Sequence, residues 1–206
     1  MSKKLKSTLP NMVIVLTSIA VIAGLALGYV NSVTEEPIRL IKEQQLSDGI
    51  KAVLAADDLK VEATDTLENG SVVYRTDKGV AVQATDPNGF GGKLTVLVGF
   101  DNEGSIQGYR ILETAETPGL GAKADQWFQK DQKGKKSNII GMSPAKNNMT
   151  VSKDGGEVDA ITASTITSRA FLRAVNMAYE ALGNAEVDGE SGATIQQKEE
   201  KEVTNE

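Results

Sequence analysis

Nineteen residues in a row, Met12 to Val30, carry no charge at all: MVIVLTSIAVIAGLALGYV. At about 1.5 Å of rise per residue, a helix of that length matches a hydrocarbon core of roughly 30 Å. Lys3, Lys4 and Lys6 precede the run, and Glu35 and Glu36 follow it. The positive-inside rule then puts the N-terminus in the cytoplasm and the rest of the chain on the far side of an inner or plasma membrane. A cleaved signal would have an apolar stretch of about 7–15 residues and a small-x-small cleavage site. This run is longer and lacks a convincing site, so a retained single-pass anchor is expected. Gly24 and Gly28 form a GxxxG, which lets a partner helix approach closely.

Two absences narrow the chemistry. The chain has no cysteine and no histidine. That removes disulfides, iron–sulfur ligation, thiol nucleophiles, the usual general base and the commonest transition-metal ligand. Redox work, if there is any, has to sit on an organic cofactor, and no metal site is expected. Only carboxylates and lysines remain for acid–base work, and no convincing catalytic pair emerges. The net charge of -6 and pI of about 4.9 argue against DNA or RNA as a partner.

Length allows one medium domain beside the anchor. Expected divisions are a cytoplasmic N-terminus over 1–11, a transmembrane helix over 12–30 and a juxtamembrane helix or linker over 31–59. A domain over 60–184 and a disordered acidic tail over 185–206 complete the chain. Glu35 to Ala56 has helical apolar spacing, with Pro37 acceptable in a first turn. Strand patterns cover Ser71–Thr76, Val80–Ala84, Lys93–Phe100 and Ile106–Leu112. Asp77-Lys-Gly79 and Asp101-Asn-Glu-Gly104 provide the turns between them. Thr165 to Leu182 reads as a helix with Ala170, Phe171, Ala174, Val175, Ala178 and Leu182 on one face, ended by Gly183-Asn184. Strands and helices without βαβ regularity indicate an α+β fold, an antiparallel sheet with flanking helices.

Two segments stand apart from this background. Glu113-Thr-Ala-Glu-Thr-Pro-Gly-Leu-Gly-Ala-Lys123 follows a strand and combines Pro118, Gly119 and Gly121 with little apolar bulk. Such a loop brings backbone amides close to a ligand, although a plain glycine turn has the same composition. It matches no GxGxxG or Walker spacing. The second segment is Asp159-Ala-Ile-Thr-Ala-Ser-Thr-Ile-Thr-Ser-Arg169. Thr162, Ser164, Thr165, Thr167 and Ser168 crowd a helix start, where one hydroxyl would suffice as a cap. Free amides and the positive end of a helix dipole favour a phosphate there.

Asp159-x-x-Thr162-Ala-Ser-Thr165 resembles the Asp-x-x-[Ser/Thr]-Gly-Ala-Thr motif that flavin transferases recognise. The resemblance implies FMN, donated from FAD, in phosphoester linkage to Thr165. Ala163 and Ser164 depart from the pattern, where it has glycine and alanine. Asp188-Gly-Glu-Ser-Gly-Ala-Thr194 fits the written motif better, but there a flavin would hang from a polar tail without apolar cover. Thr165 is therefore preferred. Gly89-Phe-Gly-Gly-Lys-Leu-Thr-Val-Leu-Val-Gly-Phe100, Glu116-Thr-Pro-Gly-Leu-Gly-Ala-Lys123 and the Thr165 segment, in that order, resemble the FMN-binding domain family.

With its anchor the chain is similar to the G subunits of Rnf complexes, which are ion-translocating ferredoxin:NAD oxidoreductases. That likeness implies an electron-relay subunit rather than a stand-alone enzyme, with other membrane subunits and a flavin transferase as partners. It points to Asp159, Thr162, Ser164, Thr165, Thr167, Ser168, Glu116, Thr117, Gly119, Leu120, Gly121 and Lys123 as residues that hold the cofactor. Phe90, Trp127 and Leu120 are the candidates to stack on the flavin ring. Lys123 is a candidate to steady negative charge, and Glu113 and Glu116 to shape the loop. The C subunit of a sodium-translocating NADH:quinone reductase is an alternative with a similar anchor and motif. An anchored, non-catalytic flavin-binding sensor is another.

Overall fold

The computed structural model describes residues 8–187, which divide at Gln45/Leu46 into two compact units. The first unit is most of a long helix, α1 (Leu9–Val53). Its apolar N-terminal part contains an 18-residue window of mean hydropathy 2.4, none of it buried. Pro37 lies inside this helix, not in the first turn of a separate one. A proline there forgoes one backbone hydrogen bond and usually kinks the axis. Flanking ion pairs from Arg39 to Glu36 and Glu43 reinforce the same turns.

The second unit is built on a five-stranded antiparallel meander, β1 (Val61–Thr66), β2 (Val72–Thr76), β3 (Gly79–Gly89), β4 (Gly92–Phe100) and β5 (Ile106–Thr114), in that spatial order. The sheet has two buried faces because alternate residues point to opposite sides. On one side Ala81 and Leu97 pack with Tyr74 against Ile50, Val53 and Leu54, from and just after the last turns of α1. A β-carbon at Gly99 would overlap the Val53 carbonyl, so helix backbone rests directly on sheet backbone. On the other side Val82, Val96, Val98 and Phe100 meet α3 (Thr165–Val187). The short α2 (Ala124–Trp127) belongs to this second layer. Phe128 stacks on Phe171 at 4.5 Å between ring centroids, and Tyr109 meets Phe171 edge-on at 4.7 Å. The Tyr109 hydroxyl donates to the Ala124 carbonyl (2.6 Å) and accepts from the Phe128 amide (3.1 Å). Burial pushes that phenol well above its ordinary pKa.

The six residues expected on the inner face of α3 are all buried. Several boundaries differ from expectation. β1, whose sequence VEATDT has no apolar stripe, is an additional edge strand exposed along its whole length. β3 continues past Ala84 through Pro87, where the register shifts between Asp86 and Gly89; such irregularities are where a strand tolerates proline. α3 passes through Gly183-Asn184, because glycine ends a helix only when it turns left-handed. Residues 185–187, expected to open the tail, belong to α3, whereas residues 188–206, Thr194 among them, lie outside the described residues, as do Lys3, Lys4 and Lys6.

Candidate functional site

The start of α3 is a closed turn. The Ser164 amide donates to the Ile161 carbonyl (3.0 Å), and the Ser164 carbonyl accepts from the Ser168 amide (3.0 Å). Ser168 Oγ donates to that same carbonyl (2.9 Å) and accepts from the Ile161 amide (3.0 Å). Inside the turn Ala163 adopts φ 62°, a left-handed conformation that glycine takes readily and alanine does not. The motif's glycine at this position thus has a backbone reason. Thr165 opens the helix, half-buried, and the amides of its first turn have no intrahelical acceptor.

The loop after β5 meets this turn through one carboxylate. Glu116 is buried (7% exposed) and accepts from Thr167 Oγ1 at 2.8 Å and from the Gly91 amide at 3.2 Å. Gly121 is required beside it, since a β-carbon there would overlap Glu116 Oε2 and Thr167 Oγ1. Thr117-Pro118-Gly119-Leu120 forms a turn closed by the Leu120 amide on the Thr117 carbonyl (3.1 Å). Gly119 takes φ 77° at its third position, the geometry for which Pro-Gly is suited. That turn swings Leu120 outward to 43% exposure.

Between these elements lies a groove of about 340 Å³ lined by Phe90, Glu116, Thr117, Leu120, Gly121 and residues Ala163 to Thr167. Phe90, Ile166 and Leu120 form an exposed apolar rim (68, 49 and 43%). Of the hydroxyls crowded around the turn, Thr162 accepts from Lys135 Nζ (2.8 Å), Thr167 is held by Glu116 and Ser168 by the turn itself. Thr165 Oγ1 makes no hydrogen bond among the described residues, and its residue is half-exposed in the groove.

The structure therefore brings together Thr165, Ser164, Thr167, Glu116, Thr117, Leu120 and Gly121, with Phe90 opposite. Ser168 and Gly119 shape the turns behind them. Asp159, Thr162 and Lys123 do not line the groove. Both Asp159 oxygens are engaged, by Ser152 Oγ (2.6 Å) and by the Lys136 amide (2.8 Å). Those two bonds, with the nearby charges of Lys135 and Lys136, hold its carboxyl below the usual range. Asp159 braces the loop instead of facing the groove. Trp127, a stacking candidate in sequence, also lies elsewhere: its indole donates to the Asp159 carbonyl (3.2 Å) and Lys135 Nζ sits 5.4 Å from the ring centroid. Glu113 pairs with Lys93 across the sheet (2.8 Å). Sequence patterns do not mark Ile166 in the rim, nor Ser152, Lys135 and Gly91 as braces. Ile166 faces outward on the helix, and the braces come from remote segments.

A sequence model of the FMN-binding domain family matches residues 89–180, which contain every groove-lining residue. The unit that carries the groove is thus an FMN-binding domain. Among curated relatives, the G subunit of the ion-translocating oxidoreductase complex from Vibrio vulnificus (strain YJ016) is 31% identical over 166 residues, 71% of this chain and 76% of the relative. Its counterpart from Aliivibrio fischeri (strain MJ11) is 29% identical over 184 residues, 82% and 86% of the two chains. That of strain ATCC 700601 / ES114 reaches 38% over 100 residues, although this alignment spans only 47% of the relative. The chain belongs to the family of ion-translocating oxidoreductase complex G subunits.

The groove suits FMN chemically. A phosphate at the α3 start would meet first-turn amides and the helix dipole. Phe90, Leu120 and Ile166 offer apolar surface to a flat ring, and the opening leaves the remainder in solvent.

Proposed function

We propose that this chain is a membrane-anchored electron-transfer subunit whose FMN is joined through a phosphoester to Thr165. The observation that carries the reading is Thr165, half-exposed at a helix start in a groove with an exposed apolar rim, its hydroxyl without a hydrogen bond among the described residues. Neighbouring Thr162, Thr167 and Ser168 are all held by partners, and Ser164, whose Oγ makes no hydrogen bond among the described residues either, is buried.

Attachment joins Thr165 Oγ1 to the FMN phosphorus of FAD, releases AMP and frees the hydroxyl proton. The chain has no histidine, and Glu116 is already occupied by Thr167 and Gly91, so the base comes from the flavin transferase. When bound, the flavin supplies reversible one- and two-electron transfer. Thr165 then tethers the group, the α3 amides offset the phosphate charge, and Phe90, Leu120 and Ile166 keep water from one side of the ring. The long apolar helix anchors the domain, with Lys3, Lys4 and Lys6 on the cytoplasmic side and the groove outside. The relatives are named as subunits of an ion-translocating oxidoreductase complex. By that likeness this chain relays electrons among further membrane subunits of an Rnf-type complex.

Coexpression with a flavin transferase tests the attachment. Flavin fluorescence on a denaturing gel is expected for wild type and for Thr194→Ala, and is expected to vanish for Thr165→Ala. A band that darkens only with Thr194→Ala would overturn the assignment.

A further inference from the structure

Phe90 lies in the two-residue turn between β3 and β4, with Gly89 paired to Gly92 just below it. An exposed aromatic on a hairpin tip is ordinarily mobile, yet this tip is gripped from two directions. On one flank the Gly91 amide donates to Glu116, and Gly91 lies so close to the Ala115 carbonyl that no β-carbon fits. On the other flank Asp86, just before the tip, is 3% exposed and receives two bonds from Arg173 of α3, Nε at 2.7 Å and Nη2 at 3.0 Å. Asp86 Oδ1 also accepts from the Asn88 amide (2.8 Å), and Arg173 Nη2 reaches the Asn88 carbonyl (3.4 Å).

A carboxylate is rarely buried unless its charge is fully met, and a well-packed apolar pair often serves stability as well. This pair adds geometry. The planar fork of arginine fixes both distance and orientation of its partner. Its contacts fall on residues 86 and 88, where the strand register shifts before the tip. The same rigid helix carries Thr165 at its first position and Arg173 further along. The attachment point and the grip on the hairpin therefore move as one body.

Resting on the flavin reading of the groove, we propose that Asp86 and Arg173 are positioning residues that hold Phe90 against the flavin. They touch neither ring nor phosphate and act through the hairpin tip. Loosening the pair should expose the ring as removing Phe90 does, while leaving the bond to Thr165 intact.

The test uses full-length protein in detergent, flavinylated by coexpression, as wild type, Asp86→Asn, Arg173→Gln, Arg173→Lys, Phe90→Ala and the Arg173→Gln/Phe90→Ala double variant. Two quantities are read: quenching of flavin fluorescence by neutral acrylamide, and hydrogen exchange of the residue 89–92 amides in protein made without the transferase. Asp86→Asn and Arg173→Gln are expected to speed tip exchange and raise quenching severalfold, towards the Phe90→Ala value. Arg173→Lys, which keeps the charge and loses the fork, should recover only part of the protection. The double variant should quench no more than Phe90→Ala, because both changes act through one contact. Additive quenching, or wild-type exchange and quenching in Asp86→Asn and Arg173→Gln, would overturn the proposal alone. If Arg173→Gln fails to fold, Asp86→Asn, which preserves shape, decides the matter. A wild type that takes up no flavin overturns the site reading and this proposal together.

Discussion

At the base of the groove, Glu116, Ser164, Thr167 and Ser168 are all buried, and Glu116, Thr167 and Ser168 are tied by hydrogen bonds to one another or to nearby backbone. At its mouth, Phe90, Leu120 and Ile166 leave large apolar surfaces in solvent. The base is polar where a core is normally apolar, and the rim is apolar where a surface is normally polar. Each inversion has a physical meaning. A buried polar cluster is sustained only when satisfied, so it holds one shape. Clustered exposed apolar side chains are favourable only when something covers them. The base provides form and the rim provides affinity.

Substitutions can break this division. Gly121→Val should do the most damage, since its side chain must displace Glu116 and Thr167; a loss of about 3 kcal/mol in urea unfolding is expected. Glu116→Ala leaves Thr167 Oγ1 and the Gly91 amide unpaired, and should destabilise by about 2 kcal/mol. A rim change is expected to act differently. Phe90→Ala should shift stability by less than about 0.5 kcal/mol, since the ring is 68% exposed, but should weaken retention of the flavin ring against acrylamide. Equal stability losses for Phe90→Ala and Glu116→Ala would erase the contrast.

Ala163→Gly sharpens the comparison in the other direction. Relief of the left-handed alanine should stabilise the turn by about 1 kcal/mol and raise the flavinylated fraction. The smallest effect concerns pH. The Asp159 carboxyl is depressed on folding, chiefly by Ser152. Its contribution is therefore present above the unfolded carboxylate pKa of about 4 and is lost as pH falls through the lower folded value. Ser152→Ala should flatten this acid-side decline in a denaturation series by slightly lowering stability near neutral pH, the two proteins converging at low pH where the carboxyl is protonated.

Local patterns carried much of this fold. The apolar run of β4 and the inner face of α3 are legible because alternation and helical spacing are properties of neighbouring residues. β1 is not, because an exposed edge strand needs no apolar stripe. The helix across Pro37 was also hidden, since sequence marks where proline disfavours a helix, not where a helix persists regardless. In the site, the hydroxyl cluster and the Thr-Pro-Gly turn announced themselves. The bond from Thr167 to Glu116 joins residues 51 apart, and that from Arg173 to Asp86 residues 87 apart. No local periodicity points to such pairs. The departure at Ala163 was visible as a mismatch, but only the backbone angle explains it.

The account rests most heavily on the bond at Thr165, and peptide mass spectrometry of the coexpressed protein reads it directly. The tryptic peptide Asp154–Arg169 should be heavier by one FMN less one water, with fragment ions placing the addition on Thr165. An unmodified Asp154–Arg169 peptide, with the addition on Thr194 or all flavin released on denaturation, would contradict it.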